Sequence, residues 1–331
     1  MKFSARWLVA IIGLIFAVLS IASIMSGDDL LWGLDSFPHT SPPAGMSVVI
    51  GLAYIGMLGS VGLMWFRAFV VKNVDRTSHR IALTLSVITF LLHVLLVGYI
   101  RLWEIGGATS DLFSADAWEV ASSASSVRAV ICLALGFPIQ HLFARKDVRI
   151  ERNRWGVVIG GLIALGSLTV VGHTAYQPPT WISHGMDFVH GVGASFWFGG
   201  LLGLVLFLQY AFRHKGDAVE AGRVVSDFST YALFSVVALA TSGVVMATII
   251  KDDPFERESA FAKALIFKLL LVLIPISIAA YNRFRLLPRL QAEADSDGAW
   301  ATLRRVTMIE VGVVVVILMV TGFLVLASPI P

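Results

Sequence analysis

The sequence predicts an all-α, polytopic transmembrane helix bundle of about nine helices, with the N-terminus on the cytoplasmic side. Three observations predict it: a scarcity of charge, nine long apolar runs, and basic residues that favour alternate loops. Of the 331 residues, 57% are hydrophobic and 14% charged, and mean hydropathy is +0.81. Soluble domains carry about 25% charged residues. This chain lacks the charge to cover a water-facing surface.

The apolar runs lie near 7–25, 46–71, 81–101, 126–144, 155–173, 186–212, 229–250, 263–282 and 304–327. A hydrocarbon core of about 30 Å needs about 20 apolar residues per helical span. Inside lipid the backbone must satisfy its own hydrogen bonds, so the runs read as helices. The alternating segments of about 10 residues that mark a membrane β-barrel do not occur.

Orientation follows from the loops. With the N-terminus inside, the cytoplasmic segments hold Lys2 and Arg6; Arg67, Lys72, Arg76 and Arg80; Arg145, Lys146, Arg149, Arg152 and Arg154; Arg213, Lys215 and Arg223; Arg283, Arg285, Arg289, Arg304 and Arg305. The external side holds Arg101, Arg128, Lys251, Arg257 and Lys263, and Lys268 falls within a run. That asymmetry is a positive-inside signal. It accounts for the net charge of +3 and the pI of 9.1 without a nucleic-acid partner. The first run, preceded by Lys2 and Arg6, has the outline of a secretory signal. Its length and the poor cleavage site at Ile24-Met25-Ser26 favour a retained helix; cleavage would leave eight.

The chain reads as one transmembrane domain, 1–331, with an N-terminal part, 1–154, and a second part, 155–331. Small residues (Gly51, Gly56, Gly59, Ser60 and Gly62 in one run, Gly191, Gly193, Ala194, Ser195, Gly199 and Gly200 in another) predict close helix packing. The one cysteine, Cys132, excludes an intramolecular disulfide and a CxxC site. Any metal site must therefore use His, Met or carboxylate ligands. No GxxxxGK[ST] motif occurs, which argues against an ATP-driven pump.

The chemistry-bearing residues gather at one place. His173, His184 and His190 fall at the external ends of two consecutive runs, joined through Pro178-Pro179. Asp187 and His190 are three apart and share a helix face. Asp187 has the spacing to orient His190 as carboxylates orient metal-bound imidazoles. Met186 adds a thioether, and Met246 lies at a similar depth in a later run. Imidazole with thioether suits copper, Cu(I) above all. His93 lies about 12 Å inside its run, at 1.5 Å per residue, and is a candidate next site inward. His79 is expected in a cytoplasmic loop and His141 near a cytoplasmic end. Lys268 has the depth to pair with Asp187.

The second part resembles the copper resistance D membrane family (CopD/PcoD-type). The resemblance rests on His184…Asp187…His190 followed by Ala194-Ser-Phe-Trp197-Phe-Gly199-Gly200-Leu201. It continues through Lys268-Leu-Leu-Leu, Asn282-Arg283, Leu286-Leu-Pro288, Leu303-Arg304-Arg305, Glu310, Thr321 and Ser328-Pro329, and covers roughly 170–331. The part before it is similar only in hydropathy and helix count. The resemblance implies a non-enzymatic, multi-pass protein of a bacterial inner membrane that serves copper uptake or copper tolerance. It implies His184 and His190 as copper ligands, with His173 and Asp187 close by, and a periplasmic copper-binding carrier as partner. The chain shows no attached copper-binding domain and no Met-rich external loop, so capture from a separate carrier is the expectation.

Two other readings stand beside copper handling. A haem-b electron-transfer protein could use His93 with His173 or His190 as axial ligands. A membrane assembly or structural factor would hold no cofactor.

Overall fold

A computed structural model describes residues 42–72, 76–115, 118, 125–170, 178–213, 218–250, 255, 260–288 and 297–326. The first apolar run, 7–25, and His173 lie outside the described residues. The described residues form α1 (Met46–Phe66), α2 (Arg76–Ile105), α3 (Ser125–Ala144), α4 (Glu151–Leu165), α5 (Thr180–Ala194), α6 (Gly200–Arg213), α7 (Ala218–Ile250), α8 (Ala260–Tyr281) and α9 (Asp297–Leu326). No strand occurs among the described residues. Wider π-turns extend α1 through Arg67–Val71, join α5 to α6 through Ser195–Gly199, and extend α8 through Asn282–Leu286.

Seven helices among the described residues are long and apolar enough to cross a membrane. The α5–α6 pair counts as one, from Thr180 to Ala211. The run expected at 155–173 corresponds to α4, which at 15 residues is too short alone. A 3₁₀ turn, Gly166–Val170, continues it. At about 1.5 Å per α-helical residue and about 2.0 Å per 3₁₀ residue, the two together reach about 32 Å. One boundary differs from expectation. His79 is not in a loop, because α2 begins at Arg76 and takes it into the first turn.

Helix α1 is the centre of the bundle. It packs against α2, α9, the α5–α6 junction, α4 and α6. The small residues expected to form packing faces meet each other. A Cβ on Gly199 would stand 2.5 Å from the Gly62 Cα, and one on Gly62 would overlap the Ser195 carbonyl. At the other end of α1, Gly51 fits beside Met319 of α9, and Gly322 of α9 beside Ser47 and Gly51. Between helices in lipid there is no hydrophobic drive, so close backbone approach and dispersion hold them together. Around the junction, Trp65 and Phe196 lie with centroids 5.0 Å apart, Phe66 meets Phe228 edge-on at 5.9 Å, and Phe196 stacks on Tyr231 at 5.7 Å.

Helices α7 and α8 are peripheral. α7 packs on α5 and α8 on α9, but the two do not pack closely on each other. Their outward side chains are apolar: Phe234 is 67% exposed and Leu270 59%. Such faces suit acyl chains.

Gly62→Ala is expected to destabilise the purified protein by about 1–3 kcal/mol, the range for overpacking. Gly222→Ala, with nothing within 4 Å of the added Cβ, is the control. Thermal unfolding in detergent measures both. Equal midpoints would contradict the central role of the α1 junction.

Candidate metal site

Between α5, α7, α8 and α9 lies a cavity of about 690 Å³, lined mainly by aliphatic and aromatic side chains. It reaches the gap between α7 and α8. Its few polar residues are Tyr54, Asp187, His190, Trp197, Lys268 and Thr321, with Met246 adding a thioether.

His190 is the best-defined of these. Its Nδ1 lies 3.0 Å from the Ser242 Oγ of α7. Ser242 spends its single proton on helix carbonyls, with Oγ 2.6 Å from the Ala238 oxygen and 3.3 Å from the Leu239 oxygen. The serine can therefore only accept from the ring. His190 is the Nδ1–H tautomer, and its Nε2 carries a lone pair. That is the arrangement in which a hydrogen bond to one ring nitrogen readies the other for a metal. Gly243 follows Ser242, and a Cβ there would stand 3.6 Å from the His190 Cε1. Met246 lies one turn further along the same face of α7.

Charge is balanced around this imidazole. Asp187, one turn before His190 on α5, interacts electrostatically with both Lys268 of α8 and Tyr54 of α1. Lys268 in turn acts on His190. A buried cation with a carboxylate beside it costs far less than an isolated one.

The sequence-derived residues divide by position. Asp187, His190 and Met246 line the cavity; His184, Met186 and His93 do not. His184 is buried at 1% exposure on another face of α5, and Met186 is half-buried. His93 is 8% exposed, and its Nδ1–H donates to the Thr89 carbonyl at 2.9 Å, one turn back in α2. No group of three or more His, Cys, Asp or Glu placed to hold a metal occurs among the described residues. Sequence reasoning missed Ser242 and Tyr54, which come from distant segments. Nothing in their local pattern sets them apart.

Deeper in the core, Glu310 of α9 is 2% exposed and faces the Trp197 indole. The two interact, but the indole Nε1 does not reach hydrogen-bond geometry.

Comparison with known proteins places this site in context. Residues 222–324 match the family model for copper resistance protein D. The match holds Ser242, Met246, Lys268 and Glu310, and begins after His190. The chain is 30% identical over 142 residues to the inner membrane protein YebZ of Escherichia coli (strain K12), covering 43% of this chain and 47% of that protein. It is 33% identical over 109 residues to the copper transport protein CutJ of Bacillus subtilis (strain 168), covering 33% of this chain and 20% of that protein. The chain thus matches less than half the length of either relative. No solved structure matches it. Over residues 222–324 the chain is thus similar to copper resistance protein D, within a multi-pass membrane protein.

Proposed function

We propose that this protein takes up copper across the inner membrane, without nucleotide hydrolysis, and that Cu(I) passes through the cavity bounded by α5, α7, α8 and α9. The observation that carries this reading is the His190 imidazole. Its protonated nitrogen is committed to Ser242, and the ring lines a cavity that Met246 also lines. Imidazole with thioether is a soft donor set that favours Cu(I) over hard cations. The match of 222–324 to the copper resistance protein D model, and the likeness to a copper transport protein, support the same metal.

Asp187 and Lys268 set the charge of the site. The carboxylate offsets the lysine ammonium and lowers the electrostatic cost of an incoming cation. His173, His184 and Met186 belong to the approach from the external side, where a periplasmic carrier would hand over its copper. Their part in that transfer is a proposal resting on their nearness in sequence to His190.

A haem reading draws on the same lone pair, since an iron axial ligand also needs a bare Nε2 in a roomy apolar cavity. Its expected second ligand, His93, does not line that cavity. A Soret band in the purified protein would favour haem over copper.

Two predictions separate the roles. In a Cu(I) titration against a chromogenic chelator, His190→Ala is expected to abolish the cavity's copper. Ser242→Ala, which frees the ring to change tautomer, is expected to weaken it about 10- to 100-fold, the usual effect of losing such a supporting contact. Unaltered affinity in both variants would contradict the assignment. The charge pair gives opposite signs: Asp187→Asn should weaken Cu(I) binding, and Lys268→Met should leave it equal or tighter. Weakening by both would show that the pair acts through folding and not through charge.

A further inference from the structure

Helices α1, α2 and α3 enclose a second histidine pair, apart from the cavity. His79, in the first turn of α2, and His141, in the last turn of α3, have ring centroids 5.2 Å apart and planes at 87°. His141 is 5% exposed.

The protonation of His141 is set by a chain of three contacts. Its Nε2 lies 2.8 Å from the Ser86 Oγ. Ser86 Oγ lies 2.6 Å from the Ser60 Oγ, which lies 2.9 Å from the Ala82 carbonyl oxygen. A carbonyl can only accept. All three contacts are hydrogen bonds at once in one arrangement: Ser60 donates to Ala82, Ser86 to Ser60, and His141 Nε2–H to Ser86. The lone pair of His141 therefore sits on Nδ1, and that atom is buried without a partner. Both nitrogens of His79 are also buried without one, and no hydrogen bond joins the two rings. Burying an unsatisfied polar atom is costly.

We propose that His79 and His141 form a second copper site, in which Cu(I) is held between His141 Nδ1 and one ring nitrogen of His79. This rests on the copper reading and extends it to the opposite end of the bundle, on the side that the basic loops assign to the cytoplasm. Cu(I) accepts two ligands, and imidazole is among its donors. Metal–imidazole bonds of about 2 Å put opposed donors about 4 Å apart and the ring centres further apart still, so the two rings, with centroids 5.2 Å apart, must move apart to take the ion between them. The guanidiniums of Arg67 and Arg145 act electrostatically on both rings. Their repulsion is twice as large for a doubly charged ion as for a singly charged one, which disfavours Cu(II) and Zn(II) relative to Cu(I).

The test is a Cu(I) stoichiometry on the full-length protein in detergent, by chelator competition, for wild type, His79→Ala, His141→Ala and His190→Ala. His79→Ala is the decisive variant, because it removes no hydrogen bond; an unchanged size-exclusion profile confirms its fold. The expected result is two copper ions in the wild type. His79→Ala and His141→Ala each lose one, and His190→Ala loses the other. The ion kept by His190→Ala should show two nitrogen neighbours in X-ray absorption. A His79→Ala protein that keeps the full wild-type stoichiometry overturns the proposal. Copper lost only in His190→Ala overturns the second site and leaves the cavity site standing. A wild type that binds no copper overturns both.

Discussion

The close approach of Gly62 to Gly199 is the contact on which the rest of the structure depends. Two backbones at that distance leave no room for any side chain. The contact fixes α1 against the junction of α5 and α6, and so brings the first described helix into the middle of the bundle. Tyr54 of α1 is thereby carried to the wall of the cavity that α5, α7, α8 and α9 surround. The aromatic contacts of Trp65, Phe66, Phe196 and Phe228 close around the same point. A bulkier residue at either glycine would move the helices that set the depth and direction of His190.

Polar groups inside the bundle are arranged by proton counting. In lipid there is no solvent to correct a mismatched donor. Serine residues on helices can donate to a carbonyl one turn back, and Ser242 does so. That leaves the oxygen as an acceptor only. His190 rests directly on Ser242, and His141 rests on Ser86, whose proton goes to Ser60, which in turn donates across to the Ala82 carbonyl of α2. In each case the result is an imidazole whose remaining nitrogen is a lone-pair donor. The two histidines present opposite tautomers, Nδ1–H for His190 and Nε2–H for His141, because the serine reaches a different nitrogen in each.

Much of this was legible in the sequence. The apolar runs mark every described membrane helix, and the glycine-rich faces of two runs do meet. Asp187 and His190 are grouped by spacing, Met246 lies at a similar depth, and all three line one cavity. His184 was less legible. It lies six residues before His190, about 240° around the helix at 3.6 residues per turn, so the two cannot share a face. The pairing of His79 with His141 was hidden by Arg76 and Arg80, which read as loop although α2 already runs through them. Ser242 could not be found, because it is one small polar residue in an apolar helix 52 positions from its partner.

The central claim is that copper bonds to His190 in the cavity with Met246 beside it. X-ray absorption fine structure of the Cu(I)-loaded protein, in a His79→Ala background so that only cavity copper is read, tests it directly. The account predicts nitrogen scattering at about 2 Å and sulfur scattering at about 2.3 Å, with the sulfur shell lost in Met246→Leu. A spectrum without imidazole scattering, or one that His190→Ala leaves unchanged, would contradict it.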